Sequence, residues 1–585
     1  MFQTEERKVA ATQKRSRSLL AVLLVVLVIV AIIIVVVVVV VTRNKDESMA
    51  VASDNDVCTN IGADILRSKG SGVDATIAVL LCLGAVQPQS NGIGGGGFML
   101  VHTKDDDKVI NFRERAPAAA SKSMFNSDEN MAKDGGLASA IPGEIAGYWK
   151  AHQKYGKLKW KDLFKPSIEI LKTGIVVTEH MEGALERLKD KLIEDVNFKS
   201  TFFKSIDSDG FKPLKAGEKF TNSMLALAYQ KISEEGPDGF YKGEIAENIV
   251  KATKATGGIL TLKDLEDYTV TIDEPFKFEY RGQKIISAPP PASGHVIALV
   301  LQILDNFDIP SFSKVKAWNY ILEAMRFGYG MRSRTGDPIY STQTKEVVKL
   351  VQEKNYMGKI VKDHFWGNKL IPFKYRKMYS DPIYTNYDGT HTTHVSVLGP
   401  DGEAVSCTST VNLWFGSRVM TDNGIVMNNE MDDFSIPEKL NAFGYRPSPE
   451  NFIVPGKRPI SSSSPSIVFD SDGKATFVTG AAGGSRIISS TLLSLINAMD
   501  WKMKLTDNLK AVRIHDQLSN NETYHEDLDF ITPLDPEIET GLSNLGYNMT
   551  GIKGVRSVVT SVSKLLGITE AAGDPRKKGT GIVID

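Results

Sequence analysis

The sequence predicts a mixed α/β domain behind one membrane-spanning helix. Three observations carry that expectation: an unbroken apolar run over residues 19–41, helical periodicities through the first two thirds, and two alternating strand pairs closed by Pro-Asp-Gly and Asp-Gly turns further on. The apolar run is long enough for a bilayer, which about 20 such residues span as a helix. It ends in the valines of residues 35–41, mediocre helix formers in water. Lipid leaves the backbone no other way of pairing its polar groups, so a helix is expected there regardless. The competing reading is a cleaved signal peptide, whose apolar region is usually only about 7 to 15 residues with a small-residue cleavage site after it. Arg7, Lys8, Lys14, Arg15 and Arg17 precede the run, whereas Arg43 and Lys45 follow it diluted by Asp46 and Glu47. By the positive-inside rule the N-terminus is cytoplasmic and everything after Val41 is outside, anchored in the plasma membrane as a single-pass type II protein.

Composition narrows the class of function. With 585 residues the chain exceeds one minimal core, and 69 basic against 70 acidic residues give no electrostatic footprint for nucleic acid. Three cysteines are too few for a disulfide-built scaffold. Cys58 and Cys82 are candidates to pair, leaving Cys407 as a buried thiol in an apolar strand, although sequence does not fix connectivity. Asn521-Glu-Thr and Asn548-Met-Thr are acceptor sequences for N-glycans.

Helices are expected over residues 74–83, 144–152, 261–267, 293–304 and 318–331, the third opened by a Thr-x-x-Asp cap and the fourth following three consecutive prolines. "NGIGGGGFMLVH" (residues 91–102) comes in the order helix, glycines, strand. A dinucleotide fingerprint needs strand, glycines, helix, so a tight backbone turn in which bulky side chains would not fit is the better reading. The two expected hairpins are "THVSVLGPDGEAVSCTSTVN" (residues 393–412) and "SPSIVFDSDGKATFVTG" (residues 464–480).

Candidate chemistry lies around these hairpins. "GAAGGSR" (residues 480–486) ends the second one, where two glycines expose backbone N–H groups suited to an oxyanion hole or simply turn strand into helix. "NNEMDDFS" (residues 428–435) carries Glu430, Asp432 and Asp433, either solvated or caging an ammonium, and "NFRERAP" (residues 111–117) offers Arg113 and Arg115 as carboxylate partners. His391 and His394 do not make a zinc site, since strand residues three apart face opposite sides and no third ligand is evident. Ser561-Val-Ser-Lys564 matches one β-lactamase motif without its companions.

Taken in order, "GSGVDATIAVLLCLG", "NGIGGGGFML", "NFRERAP", "PGEIAGYWKAH", "TTHVSVLGPDGEAVSCTSTVNLWFGS", "NNEMDDFS", "PGKRPISSSSPSIV", "GAAGGS" and "DPRKKG" resemble a γ-glutamyltransferase, or γ-glutamyl transpeptidase, of the animal membrane-anchored kind. The resemblance implies the αββα sandwich of N-terminal-nucleophile hydrolases, made as a precursor that cuts itself into two subunits. The implied organisation is a cytoplasmic tail 1–18, anchor 19–41, stem 42–52, large subunit 53–391 and small subunit 392–585, with the cut between His391 and Thr392. Thr392 resembles the nucleophile. A threonine hydroxyl needs a base, and the α-amine freed by the cut, with an ordinary pKa near 7.7 to 8.0, can serve.

By the same resemblance Arg113, Ser461 and Ser462 grip a donor's α-carboxylate, while Asn412, Glu430 and Asp433 hold its α-ammonium. Gly483 and Gly484 form the oxyanion hole, and Thr410 hydrogen-bonds the nucleophile. Glutathione and its conjugates are the implied donors, amino acids, dipeptides or water the acceptors, and no cofactor or metal is required. Many relatives have glycine before the nucleophile; here Gly389-Thr390-His391-Thr392 raises Thr390 as an alternative, although His394 and Ser396 fall at the family's spacing after Thr392. A same-fold acylase, a strict γ-glutamyl hydrolase and a catalytically silent surface glycoprotein are the rival readings.

Overall fold

Runs that alternate β-branched with small polar residues build the centre of the computed structural model, which describes residues 7–8, 20–35, 48–206, 210–365, 370–372, 378–379, 384–385, 391–438, 446–518 and 522–585. Thirteen strands form two sheets. In chain order they are β1 (Met49–Ser53), β2 (Gly96–His102), β3 (Asp107–Asn111), β4 (Thr271–Asp273), β5 (Phe276–Tyr280), β6 (Gln283–Ser287) and β7 (Thr392–Leu398). Then follow β8 (Ala404–Thr410), β9 (Ser466–Phe469), β10 (Ala475–Ala482), β11 (Val558–Ser563), β12 (Glu570–Gly573) and β13 (Thr580–Ile584). The first sheet has the order β13-β1-β7-β8-β2-β3-β4, the second β12-β11-β10-β9-β6-β5, and every pairing is antiparallel.

The sheets face each other across an apolar seam. Phe98, Leu100, Val109 and Leu398 of the first meet Ile286, Ile467, Val478 and Val562 of the second. Outside the first sheet lie α1 (Asp56–Arg67), α2 (Gly72–Val86) and α3 (Glu144–Tyr155), packed on Val395, Val397, Val405 and Cys407. Outside the second lie α4 (Gly294–Leu304), α5 (Lys314–Arg332) and α6 (Arg486–Met499), packed on Val468, Phe477, Ala481 and Val559. This is the expected αββα layering. It follows from period: a strand buried on both faces must be apolar or small on both, and each helix buries one stripe.

Local signals work as the sequence suggests. Ser71 and Asp74 cap α2 reciprocally, and Thr261 with Asp264 does the same for the short helix Leu262–Glu266. The turn of the first hairpin is a 3-10 turn over Pro400–Gly402, with Asp401 left-handed at φ 59°. The glycine cluster is a close approach: a Cβ on Gly95 would lie 2.0 Å from the Thr410 carbonyl oxygen. Cys58 and Cys82 form the disulfide joining α1 to α2, and Cys407 is free and buried.

Three points differ from expectation. The folded body starts at Met49, because the segment assigned to the stem supplies β1, whose Ala50, Val51 and Ala52 pair with Leu398, Val397 and Ser396. The β5–β6 hairpin, turning at Arg281 and Gly282, lies between two expected helices in a part of the chain where few strand pairs were expected. Residues 20–35 form a helix with exposed Leu, Val and Ile side chains, whereas 19 and 36–41 lie outside the described residues. Among the described residues no helix is long and apolar enough to cross a membrane.

Candidate active site

Strand alternation decides where Thr392 points. Thr393 donates to Asp54 Oδ2 at 2.8 Å, and Val395 and Val397 pack in the helix layer. His394 lies against Gly480 of β10, Ser396 donates to the Thr560 carbonyl at 2.9 Å, and Leu398 enters the inter-sheet seam. Thr392 shares the parity of this second set and is 5% exposed. One threonine of the pair therefore serves the core, and its neighbour faces the end of the opposite sheet.

Register supplies its partner. Thr392 stands opposite Thr410 across β7 and β8. Its hydroxyl donates to Thr410 Oγ1 at 3.3 Å, and the Thr410 hydroxyl donates to the His391 carbonyl oxygen at 2.8 Å. Thr410 Oγ1 also accepts the Asn412 N–H at 2.8 Å. A directed relay thus runs from the Thr392 hydroxyl to the carbonyl of the preceding residue. His391 is stacked on Trp414, ring centroids 4.0 Å apart, and its N–H donates to the Asn412 carbonyl at 3.2 Å. Burial, reinforced by His180 and Lys577, pushes the His391 imidazole well below its ordinary pKa, so it is neutral.

On one side of Thr392 a small cavity brings together most of the residues selected from sequence: Arg113, Thr410, Asn412, Glu430, Asp433, Ser461, Ser462 and Gly484. Arg113 is 1% exposed and pairs with both Glu430 and Asp433, with the Ile460 carbonyl accepting from Nη2 at 3.1 Å. Burial works against its charge, and the two carboxylates outweigh that and hold its pKa above the arginine value. The acidic run is therefore no solvated loop: Glu430–Asp433 is a buried 3-10 turn whose start is pinned by Asn428 Oδ1 on the Glu430 N–H. Asn412, at φ 73°, donates to the Asn429 carbonyl at 3.0 Å. Ser461 donates to Ser463 Oγ at 3.1 Å, and the Ser461 N–H donates to the Pro291 carbonyl.

Gly483 opens a second cavity that also reaches Thr392, with Ser90, His180, His391 and Lys577 on its wall. Gly483 and Gly484 have φ of 133° and 61°, and a Cβ on Gly483 would lie 2.4 Å from the Arg556 carbonyl oxygen, so only glycine fits this turn from β10 into α6. Residues that sequence reasoning missed surround this side. Lys577, 7% exposed, donates to the Thr392 carbonyl at 3.2 Å and to Asp54 Oδ2 at 3.0 Å. Its motif "DPRKKG" was visible, but a lysine in a charged run reads as surface. Of the remaining candidates, Arg115 stacks over Tyr268 outside the cavity and Asp432 is drawn towards Lys133 and Arg418. Ser561 is spent on Thr479 within the second sheet, and Asn548 is exposed. Thr390 and Asn521 lie outside the described residues.

The family model for γ-glutamyltranspeptidase matches residues 58–584. The chain belongs to that family. A glutathione hydrolase proenzyme of Arthroderma benhamiae is 38% identical over 562 residues, 92% of each chain. That of Escherichia coli strain K12 is 36% identical over 484 residues, 80% of each. Among solved structures, a cephalosporin acylase from Bacillus halodurans superposes with a TM-score of 0.78 over 92% of this chain and 96% of its own, at 23% identity. That last likeness shows a shared fold alone. The γ-glutamyltranspeptidase match spans most of the two-sheet core, including β7 with Thr392 at its head.

Proposed function

We propose that this γ-glutamyltranspeptidase-family chain is a self-cleaving γ-glutamyltransferase and glutathione hydrolase with Thr392 as nucleophile. The observation that carries this reading is one cavity in which a buried arginine and two carboxylates stand beside the Thr392 hydroxyl. A free α-amino acid head group is a zwitterion, and such a cavity complements both of its charges: Arg113 with Ser461 and Ser462 for the carboxylate, Asn412, Glu430 and Asp433 for the ammonium. The γ-carbonyl then falls at Thr392, which selects γ over α linkage by distance.

Maturation follows from the relay. Thr392 Oγ attacks the His391 carbonyl carbon while its proton passes to Thr410 and the Thr410 proton to the carbonyl oxygen. Collapse breaks the peptide C–N bond, giving an ester and a free Thr392 amine that keeps the transferred proton. Water then releases the His391 carboxylate and restores the hydroxyl. In the mature enzyme that amine takes the Thr392 proton as Oγ attacks the donor. Gly483 and Gly484 N–H groups stabilise the oxyanion, and the proton leaves with the departing amine. Water, an amino acid or a dipeptide resolves the γ-glutamyl ester. The large subunit then ends at His391 and the small begins at Thr392. The apolar run of residues 19–41 and the cations before it support a type II plasma-membrane anchor with the enzyme outside, the compartment in which the acceptor sequences at Asn521 and Asn548 would be glycosylated.

The test is N-terminal sequencing of fragments from the purified protein, alongside release of glutamate from glutathione. A fragment starting Thr-Thr-His-Val is expected, and Thr392→Ala is expected to stay uncut and inactive. An uncut Thr392→Ala chain with full activity would sink the mechanism.

A further inference from the structure

We propose that Arg556, with Arg486 beside it, forms a subsite for the terminal carboxylate of a dipeptide held on the side of Thr392 away from Arg113. The proposal rests on the γ-glutamyl-transfer reading above and names the half of the substrate that the Arg113 cavity does not bind.

The two cavities at Thr392 divide the work. The one containing Arg113 fits the γ-glutamyl head group, so whatever is attached to the scissile nitrogen must lie towards Gly483. Arg556 and Ser557 line that second cavity and also a depression adjoining it, to which Arg486, Arg513, His515 and Glu526 contribute. The region is rich in cations, and most are already spent. Arg513 pairs with Asp574 at 2.5 Å, and Lys577 with Asp54 at 3.0 Å. His515 accepts or donates at Ser489 at 2.8 Å and is kept neutral by burial, while Glu526 is taken by Arg576 at 2.6 Å. Arg486 lies over the Tyr524 ring at 5.6 Å. Among the described residues neither Arg486 nor Arg556 is paired with a carboxylate, and each repels the other: burial, then the charge of Arg556, lowers the Arg486 pKa. Glu526, already paired with Arg576, offsets that repulsion only in part, and two guanidiniums side by side are stabilised by an anion between them.

Position fits the length of the ligand. The Arg556 carbonyl packs against Gly483, so this exposed side chain springs from backbone fixed at the proposed oxyanion turn. A dipeptide spans roughly 7 Å from its N-terminal nitrogen, at about 3.3–3.6 Å per residue, and Arg556 lines the cavity that also reaches Thr392. The ligand chemistry is a free C-terminal carboxylate on a short peptide. Two sources share it: the cysteinylglycine leaving from glutathione, and a dipeptide acceptor entering to attack the ester.

The experiment compares kcat/KM for paired ligands in the full chain and in Arg556→Gln, with Arg556→Lys as the conservative control. One arm uses glutathione against its C-terminal amide as donor; the other uses glycylglycine against glycylglycine amide as acceptor. Wild type is expected to favour the acid about tenfold, the scale of one charge-assisted hydrogen bond at a partly exposed site. Arg556→Gln is expected to bring the ratio near unity, with Arg556→Lys between. Collapse of the ratio in one arm only supports the subsite and assigns its source. A wild type indifferent to the amide, or a variant that keeps the wild-type ratio in both arms, overturns it. Absence of glutamate release by wild type from both donors instead refutes the functional reading, and the subsite falls with it. A denaturing gel showing both fragments confirms that each variant matured.

Discussion

Arg113 illustrates how a residue's meaning changes once its surroundings are known. From sequence it is one of two arginines in a short motif; in the fold it is buried, with Nη1 on Glu430, Nη2 on Asp433 and the Pro459 carbonyl accepting from Nε at 3.4 Å. Truncation to alanine would strand two buried carboxylates, a loss of about 3–5 kcal/mol, and confuse folding with binding. Arg113→Lys keeps the charge and loses the fork that matches a carboxylate. It is expected to raise the donor KM by about 10- to 100-fold, one to two multiples of the 1.4 kcal/mol that makes a factor of ten. The two fragments should still appear, because the relay through Thr392, Thr410 and His391 does not include Arg113. A donor saturation curve that matches wild type would overturn the carboxylate assignment. At this scale the polar loop residues were legible, since each sits in a motif whose order in the chain is distinctive. Lys577 and Asp54 were not: a buried ion pair between residues so far apart in sequence leaves no local pattern.

Among elements, the β7–β8 hairpin does most to place the site, and it was legible because alternation and a Pro-Asp-Gly turn coincide. What sequence could not supply was its neighbours. β1 is five residues of mostly small apolar chain shortly after the apolar run, so it read as stem, and only pairing with β7 and β13 makes it a strand. The β5–β6 hairpin turns at Arg281 and Gly282, both at positive φ, and the arginine disguises the turn. The glycine run before β2 read as a turn that excludes bulky side chains; at Gly95 the exclusion comes from a close approach to β8, and its consequence is testable. A Cβ on Gly95 would press on the Thr410 carbonyl oxygen, and displacing Thr410 breaks the relay to His391. Gly95→Ala is expected to reduce stability by about 1–3 kcal/mol and to lower the fraction of cut chain on a denaturing gel. Full processing in that variant would show that β8 tolerates the shift and that the relay is looser than its hydrogen bonds imply.

Across the whole molecule the expected subunits are interleaved. β7 and β8, on one side of the cut, pair with β1 and β2 on the other, so severing His391 from Thr392 leaves a continuous first sheet. The same interleaving buries many titratable groups, and their protonation sets a pH dependence of stability. Burial lowers His180, His295, His394 and His515 to about 3, and His391 further. Burial raises Glu114 and Glu144 to about 8. Below the ordinary histidine pKa of 6.5 the unfolded chain binds protons on the five histidines that the folded chain refuses, whereas the folded chain holds protons on two glutamic acids that the unfolded chain releases above about 4.5. The histidines outnumber the acids, so stability rises with pH from about 4.5 to 6.5. Above 6.5 Glu114 and Glu144 dominate, with the proton on the folded side, and stability falls until about pH 8, where Lys457, lowered by burial to about 8, begins to act in the opposite sense. A maximum near pH 6.5 is therefore expected in thermal melts of the uncut Thr392→Ala chain between pH 5 and 8.5. Glu144→Gln keeps an acceptor for Tyr148 and Ser409, whose hydroxyls donate to Glu144 Oε1, and removes one titrating proton. It should flatten the alkaline limb by up to about 1.4 kcal/mol per pH unit, leaving the acid limb as steep or steeper. A melting temperature that climbs steadily through pH 8 in the parent would mean that these two carboxyl groups are ionised in the fold, and that the charge of Arg113 extends further into the core than its pairs with Glu430 and Asp433 suggest.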